Sequence, residues 1–383
     1  MQRPGDYFTF EKKAGDNAWL DLVRAIAIAL VLARHGYRAI AAPSDPVAPW
    51  QALLLNGWVG VDLFLVLSGY LISQHLLRHG IGTGRFELGR YLAVRALRIV
   101  PAYLAVMGLI VASAFPFFVI NRDFLGIRVG YHLLFLQDYL PSNINVVFWS
   151  LGVEEKFYLI APLLVWLALS RGSLARSLGV VFCLFALSPL CRTVTYMLQA
   201  GPLDYEVFFR LLRSPFHMTL EPLMIGVAIA IACHAGAFAP SPPRGARLMV
   251  IAALALTAFL ASGDFMRSID SFDVIAQPPI IACLCGLLTL GAVMMGKTHL
   301  PFEPPVRVVA RLSYSLYLVH YPLVPFAIVI GKSSDYPSLL FWTAYLGLST
   351  ACACVLHFSV EKPFLMLKNR LASNGRLIEA ARG

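Results

Sequence analysis

Long apolar stretches separated by short polar segments make up most of the chain, and their lengths give the first prediction. A helix needs roughly 20 apolar residues to cross the hydrocarbon core of a membrane. Ten stretches approach or exceed that length, at about 19–40, 52–77, 99–119, 146–170, 175–199, 215–235, 247–262, 273–296, 312–330 and 338–359. We therefore predict an all-α integral membrane protein with about ten transmembrane helices.

One further apolar stretch, YHLLFLQDYLP at 131–141, needs separate treatment. It is too short to cross a membrane as a helix. We predict a re-entrant or interfacial segment here. The choice matters because counting this stretch as a span would move every later loop to the opposite side of the membrane.

Lysine and arginine are unevenly divided between the predicted loops, which indicates the side of each loop. If the N-terminus lies in the cytoplasm, 20 of the 31 basic residues fall in cytoplasmic segments and six fall in outer loops. The other five lie within spans or at their ends: Arg24, Arg34, Arg38, Lys156 and Arg192. We predict a multi-pass protein of the bacterial cytoplasmic (inner) membrane, with cytoplasmic tails at 1–18 and 361–383 around a membrane domain at 19–360.

Composition supports this class and excludes others. The chain is 58% hydrophobic and 14% charged, with a mean hydropathy of +0.71, whereas about a quarter of the residues of soluble domains are charged. The net charge of +10 does not indicate nucleic-acid binding, because no basic soluble domain carries it. All seven cysteines lie in apolar stretches without ligand spacing, so we predict no metal site. The chain shows no internal repeat, which argues against a secondary transporter.

Two ionisable residues lie in the first predicted span, LDLVRAIAIALVLARHGY. Arg24 and His35 are eleven positions apart, which places them on one helix face and about 16 Å apart along the axis. Ionisable groups inside a bilayer usually face a protein interior or an aqueous cavity. The alternatives are an arginine that extends to the interface and a hydrogen-bonded structural histidine. The shared face favours a polar track through the membrane.

The second predicted span, GWVGVDLFLVLSGYLIS at 57–73, combines small and polar residues. Gly57, Gly60 and Gly69 are predicted to allow a neighbouring helix to approach closely. Asp62 and Ser68 add polar groups within the bilayer, and packing alone does not explain an aspartate there.

The segment 78–104 is the most basic cytoplasmic part of the chain. Arg95 and Arg98 share a helix face, and guanidinium groups suit phosphate because they offer planar, bidentate donors. The alternative is a role in orientation and lipid-headgroup contact. The GIGTG run at 80–84 does not follow a strand and lacks the GxGxxG spacing, so it predicts no nucleotide site.

Two later spans also carry polar groups. Glu154 and Tyr158 share a face at the outer start of the fourth span, FWSLGVEEKFYL, which also holds Lys156. In the ninth span, RLSYSLYLVHYPL, Tyr317 and His320 share a face. A solvated helix start and an aromatic belt are the structural alternatives for these residues.

These motifs together resemble the membrane-bound acyltransferase-3 family over nearly the whole chain. The matching elements are R-x10-H in the first span, GVDLFLVLSGYLI in the second, R-x-x-R-I-x-P-x-Y from Arg95 to Tyr103, SLxxExxFY from Ser150 to Tyr158, YSLYLVHYP in the ninth span and VEKPF at 360–364. Six motifs in the family's order make the resemblance specific.

The resemblance implies transfer of an acyl group, commonly acetyl, from cytoplasmic acyl-CoA to a hydroxyl of a glycan or other acceptor. It implies no tightly bound cofactor. His35 would act as general base or transient acyl carrier with Arg24 and Glu154, and donor binding would fall to Arg95, Arg98 and Tyr103. Substrate contacts would come from five further residues: Asp62, Ser68, Tyr158, Tyr317 and His320.

Two departures from the family pattern change the expectation. Many relatives carry further arginines in the R-x-x-R motif, where this chain has Val94 and Leu97. The appended SGNH-type esterase domain of some relatives is not expected here, because the sequence contains no Gly-Asp-Ser. A transporter or flippase of small molecules or lipid-linked glycans is the competing class, and CoA release by purified protein separates the two.

Overall fold

A computed structural model describes residues 7–10, 16–41, 47–79, 81, 86–170, 172–199, 201, 203–267, 269–333 and 337–370. Over these ranges the chain forms α-helices and no β-strand. The helices are α1 Ala18–Ile40, α2 Pro49–Leu55, α3 Val59–Arg78, α4 Leu88–Val111, α5 Leu125–Leu133, α6 Trp149–Leu169, α7 Leu174–Leu198, α8 Tyr205–Phe208, α9 Glu221–His234, α10 Pro242–Leu260, α11 Gln277–Met295, α12 Glu303–Gly331 and α13 Pro337–Leu356.

Seven helical segments of this part of the chain are long and apolar enough to cross a membrane. They are α3, α4, α7, α10, α11 with the π-helical turn before it, α12, and α13 with its continuation to Arg370. The predicted all-α membrane architecture is therefore confirmed. The other three predicted spans also contain helices, α1, α6 and α9. The first two carry clustered charges and α9 has only 14 residues, so the number of ten crossings stays a prediction.

The helix bounds differ from the predicted spans most clearly in the second and third spans. The third span was placed at 99–119, but α4 occupies Leu88–Val111. Its charged first turns are helical, whereas the apolar run that follows contains Pro116 and left-handed backbone at Ser113 and Phe117, which ends the helix. The second span was placed at 52–77, but a turn at 56–58 divides it into α2 and α3.

Glycines of α3 allow two close helix crossings at the centre of the bundle. A Cβ atom on Gly60 would lie 2.2 Å from the carbonyl oxygen of Ala27 in α1. A Cβ atom on Gly69 would lie 2.2 Å from the carbonyl oxygen of Leu223 in α9. Only a residue without a side chain fits at such distances, so the predicted packing role of these glycines is confirmed. The crossings hold α3 between α1 and α9.

The short apolar stretch at 131–141 does not form a spanning helix. It contains the end of the nine-residue α5, followed by turns. Asp138 holds these turns against α6 through Lys156, whose Nζ lies 2.6 Å from its carboxylate. Burial raises the pKa of the Asp138 carboxyl, while the hydrogen bond from Lys156 lowers it. The structure agrees with the prediction of a non-spanning segment and gives Lys156 a structural partner.

Hydrogen bonds near the helix ends fall into two sets, one at each end of the bundle. At one end, the hydroxyl of Tyr7 donates to Phe358 O, Asn17 donates to Ala292 O and Trp19 donates to Thr298. At the other end, Asn56 donates to Leu260 O, Ser214 donates to Asp138 O and Tyr139 bonds to His217. The two sets match the two predicted sides.

The predicted tails lie largely outside the described residues. In the N-terminal tail, 1–18, the structure describes residues 7–10 and 16–18. In the C-terminal tail, 361–383, it describes residues 361–370. Most of the GIGTG run also lies outside the described residues. So do seven of the basic residues that were assigned to the cytoplasmic side: Arg3, Lys12, Lys13, Arg85, Arg171, Arg376 and Arg382. The domain boundary predicted after residue 360 falls inside a helix, because α13 continues through a π-helical turn, His357–Glu361, to Arg370. Glu361 is buried there and accepts a hydrogen bond from Ser315.

Candidate active site

A cavity of about 400 Å³ opens at the C-terminal end of α1, and we call it the His35 cavity. Its polar lining is His35, Arg34, Arg38, Trp58, Trp149, Tyr205, Arg213, Tyr317 and Tyr321. Apolar residues of α1, α3, α12 and the segment 205–213 form most of the remaining wall, together with Phe118, Val146, Val147 and Met266. The volume lies in the range of small-molecule sites.

His35 is held by a second histidine from α12. The Nδ1 atom of His35 lies 3.2 Å from Nε2 of His320 and 3.1 Å from Val31 O. His320 is fully buried, and its own Nδ1 lies 3.0 Å from Leu316 O. The two histidines were predicted separately, and the structure brings them together.

The contacts of this pair assign its protons. A carbonyl oxygen can only accept, so Nδ1 of His320 must donate to Leu316 O. Neutral His320 then has an accepting Nε2, and Nδ1 of His35 must donate to it. The Nε2 atom of His35 is left with a free lone pair. His35 is half-buried and lines the cavity, so this atom is available as a base.

A second cavity of about 100 Å³ lies further along the bundle, and we call it the Arg24 cavity. Its polar lining is Arg24, Ser68, Arg98, Ser150, Glu154, Tyr158, Ser313, Tyr314 and Tyr317. Arg24 is paired with Asp21 at 2.9 Å, one turn earlier in α1. The single helix α1 therefore carries a polar residue into each cavity, as the spacing of Arg24 and His35 predicted.

The two cavities meet at Tyr317. Tyr317 and Val61 line both of them. The hydroxyl of Tyr317 donates to Val147 O at 2.7 Å and lies 2.7 Å from the Ser150 hydroxyl. Tyr317 is thus placed where the two cavities share a wall, and its role as a substrate contact stays a prediction.

Glu154, which is predicted to act with His35, lines the Arg24 cavity and not the His35 cavity. Its carboxylate accepts hydrogen bonds from Ser68 and from Tyr158, the latter at 2.5 Å. The predicted common face of Glu154 and Tyr158 is confirmed. The side chain that bonds to His35 is that of His320 and not that of Glu154.

The three residues predicted to bind the donor are not placed alike. Arg98 lines the Arg24 cavity and is exposed. Arg95 lies between the rings of Tyr91 and Tyr158, at 5.6 and 5.8 Å, and its Nε has no partner within the described ranges. Arg95 therefore lies behind the wall of the Arg24 cavity, where it packs against the lining residue Tyr158.

Tyr103, the third predicted donor residue, lies away from both cavities. It is fully buried, and its hydroxyl lies 2.8 Å from Nδ1 of His132 in α5. The rings of Phe135 and Phe148 pack on it, and it lines neither cavity. Burial lowers the pKa of His132 to about 4, so this histidine is neutral at pH 7. Tyr103 anchors α5 to α4.

The predicted substrate residue Asp62 is the buried partner of an arginine that the sequence placed in an outer loop. Asp62 pairs with Arg213 at 2.7 Å, and both are buried. Arg213 lies between the rings of Trp58 and Trp149, each 5.2 Å away, and lines the His35 cavity. An aspartate inside a bilayer needs a cationic partner. Asp62 in the sequence was therefore a sign that a basic residue such as Arg213 lies next to it.

Within the described ranges, no three His, Cys, Asp or Glu side chains converge as ligands for a metal ion. The polar groups of the two cavities are those of acid–base and anion-binding chemistry: a paired histidine in one, and arginines in both.

Comparison with known proteins gives one consistent result. The sequence model of a family described as an acyltransferase domain matches residues 17–358. Peptidoglycan O-acetyltransferase OatA of Listeria monocytogenes is 27% identical over 330 residues, which cover 80% of this chain and 49% of the relative. O-acetyltransferase OatA of Staphylococcus aureus is 26% identical over 302 residues, covering 71% and 47%.

A putative O-acetyltransferase of Staphylococcus aureus is 23% identical over 378 residues, covering 93% of this chain and 58% of the relative. The chain thus spans about half the length of the curated relatives it matches. No solved structure matches the chain.

Proposed function

The chain belongs to the acyltransferase family whose domain it matches, and from this premise we propose that it is a membrane O-acyltransferase. It transfers an acetyl group from cytoplasmic acetyl-CoA to a hydroxyl of a glycan on the far side of the membrane. The choice of acetyl and of a cell-wall glycan rests on relatives that are named as O-acetyltransferases, one of them of peptidoglycan.

The observation that carries the proposal is the pairing of His35 with His320 in a cavity that meets the Arg24 cavity at Tyr317. Acyl transfer of this kind needs a base beside the acceptor hydroxyl and cationic groups beside the phosphates of the donor. The paired histidine meets the first requirement. Arg24 and Arg98 meet the second, because CoA carries phosphate groups that guanidinium groups bind well.

The proposed reaction is one general-base step. Nε2 of His35 takes the proton of the acceptor hydroxyl while the hydroxyl oxygen attacks the thioester carbonyl carbon. The carbon–sulfur bond then breaks, and the CoA thiolate takes the proton back from His35. His320 stabilises the transient imidazolium through Nδ1 of His35. Arg213, which faces the same cavity, can stabilise the negative charge that develops on the carbonyl oxygen.

The test is acetyl transfer by purified full-length protein in lipid nanodiscs, with labelled acetyl-CoA and soluble peptidoglycan fragments as acceptors. We expect His35→Ala to lower the transfer rate about 10²–10⁴-fold, with acetyl-CoA binding retained. His234→Ala, at an exposed histidine that lines neither cavity, is the matched control. A His35→Ala protein that keeps more than about a third of the wild-type rate would make the general base unnecessary.

The same assay separates the other mechanisms. If labelled acetyl stays covalently on the wild-type chain without acceptor, and this label is lost in His35→Ala, then His35 carries the acyl group and does not act as a base. Glycan uptake without release of CoA would identify a transporter and contradict the proposal.

A further inference from the structure

Three arginines line the His35 cavity, and the proposed transfer step does not use all of them. They are Arg34, Arg38 and Arg213, and the lining contains no aspartate or glutamate. Asp62 neutralises Arg213 from behind the wall. Arg34 and Arg38 form no ion pair with any residue that the structure describes. The cavity wall therefore carries an unbalanced positive charge.

Of Arg34 and Arg38, only Arg34 is buried. Its side chain is buried, with 4% of its surface exposed, and it donates to Leu55 O at 2.6 Å. This bond uses one of its five N–H donors. Its other polar partner is the hydroxyl of Tyr205, which is neutral, and the carboxylate of Asp264 lies beyond ion-pair distance and accepts a hydrogen bond from Met266 N. A buried charge without a counter-ion is costly, which indicates that a ligand completes the site.

Arg38 extends the same positive wall. It lies one turn beyond Arg34 on α1 and is exposed. Its guanidinium lies 5.7 Å from the ring centre of Tyr205, which also lines the cavity. A cation near a helix C-terminus is favourable in itself, and this accounts for Arg38 in part. It does not account for the buried Arg34, and His35 lies between the two in sequence.

We propose that the acceptor substrate carries an anionic group, a carboxylate or a phosphate, that binds Arg34 and Arg38 while the hydroxyl to be acylated lies at His35. This inference rests on the proposed acyl transfer and adds the charge of its acceptor. Guanidinium groups bind such anions with paired, planar hydrogen bonds. A cationic cleft with low-dielectric walls also raises the local concentration of anions.

The experiment measures binding of two tetrasaccharides to the purified full chain, without acetyl-CoA. One probe alternates glucuronate and N-acetylglucosamine, and the other is uncharged and contains only N-acetylglucosamine. Nanodiscs of phosphatidylcholine keep anionic lipid headgroups out of the comparison. We expect the charged probe to bind about tenfold more tightly, as for one or two charge-assisted hydrogen bonds. N-acetylglucosamine 1-phosphate as competitor tells whether a phosphate replaces the carboxylate.

Variants locate the effect. Arg38→Gln should remove the preference for the charged probe and leave the uncharged probe unaffected, and Arg38→Lys should restore part of it. Arg34→Gln should act in the same direction, but it also removes the bond to Leu55, so Arg38 carries the test. Arg122→Gln is the matched control, because Arg122 is an exposed arginine that bonds to Ser113 and lines neither cavity.

The outcomes separate this inference from the proposed function. Equal binding of the two probes overturns the anionic acceptor even if acetyl transfer is measured. Displacement of the charged probe by free CoA, lost in Arg38→Gln, assigns the arginines to the donor and also overturns it. A preference for the charged probe in a protein that transfers no acetyl group contradicts the proposed function and leaves the anion site in place.

Discussion

At the scale of single residues, the proposed chemistry depends on one proton, the proton on Nδ1 of His35. Nε2 of His320 accepts a hydrogen bond from this N–H group, because Nδ1 of His320 already donates to Leu316 O. The reactive Nε2 of His35 is therefore set by the two acceptors that face its Nδ1, which are Nε2 of His320 and Val31 O. This makes His320 a positioning residue, and a substitution there tests the arrangement without touching the cavity lining.

We expect His320→Leu to lower kcat about 10- to 100-fold, as for the loss of a group that orients a histidine, while the KM for acetyl-CoA stays unchanged. His320→Gln offers an amide oxygen in place of Nε2 and should restore part of kcat. Steady-state kinetics on folded protein measure both values. If the two variants lose kcat equally and also unfold at lower temperature, His320 serves packing alone.

The donor arginines are predicted to differ, because they lie differently around the Arg24 cavity. Arg98→Ala should raise the apparent KM for acetyl-CoA about tenfold, the cost of one charge-assisted hydrogen bond, and Arg98→Lys should recover only part. Arg244→Ala, at an exposed position of α10 that lines neither cavity, serves as control. An unchanged KM in Arg98→Ala would mean that Arg98 does not bind the donor and serves only the orientation of the protein in the membrane.

The sequence identified most of the polar residues of the Arg24 cavity, few of those of the His35 cavity, and not the pairing of the two histidines. Arg24, His35, Glu154 and Tyr317 were singled out because ionisable and polar groups are rare in apolar helices. The contact between His35 and His320 joins positions 285 residues apart, and no local pattern reports such a distance. Arg213 was missed because it lies in a segment that reads as a loop, although Asp62 required a partner.

At the scale of helices, the glycines of α3 set how close the functional side chains come to one another. Ser68, which donates to Glu154, directly precedes Gly69 at the crossing with α9. A side chain at 69 would push the helices apart and move Ser68 from Glu154. The stability of the crossing and the shape of the Arg24 cavity are therefore linked.

Gly69→Ala should destabilise the protein by about 1–3 kcal/mol, the usual cost of inserting a methyl group into a closely packed site. Gly108→Ala in α4 is the matched control, because nothing lies within 4 Å of its Cβ position, and alanine favours the helix by about 1 kcal/mol. Apparent melting temperatures in nanodiscs, taken at one scan rate, compare the two. A Gly69→Ala protein that melts with the wild type would contradict the close crossing.

Helix positions were predictable from apolar length, whereas helix ends were not. The predicted third span is shifted because an amphipathic, charged start such as that of α4 is helical without being apolar. The opposite error arises after Val111, where an apolar run turns instead of continuing. Hydrophobicity reports the environment of a segment, and backbone preferences decide whether it is helical.

At the scale of the whole molecule, the two cavities serve their proposed roles only if they open to opposite sides of the membrane. The contacts between connecting segments bear on this. The α5 region and the segment before α9 meet at Ser214–Asp138 and at Tyr139–His217. Both segments must therefore lie at the same end of the bundle, which is the end predicted to be outside. An extra crossing at 131–141 would place the start of α6 at the other end.

Reporter fusions test this arrangement directly. A reporter fused after residue 90 should indicate the cytoplasm, and one fused after residue 205 should indicate the outer side, because 20 of the 31 basic residues lie in segments assigned to the cytoplasm. A fusion after residue 237, between α9 and α10, should again report the cytoplasm and serves as an internal control. A cytoplasmic signal at 205 would mean that an even number of crossings separates it from residue 90, as an extra crossing at 131–141 would produce. The His35 cavity, whose lining includes Tyr205, would then open towards the donor, and the transfer direction proposed for this protein would be wrong.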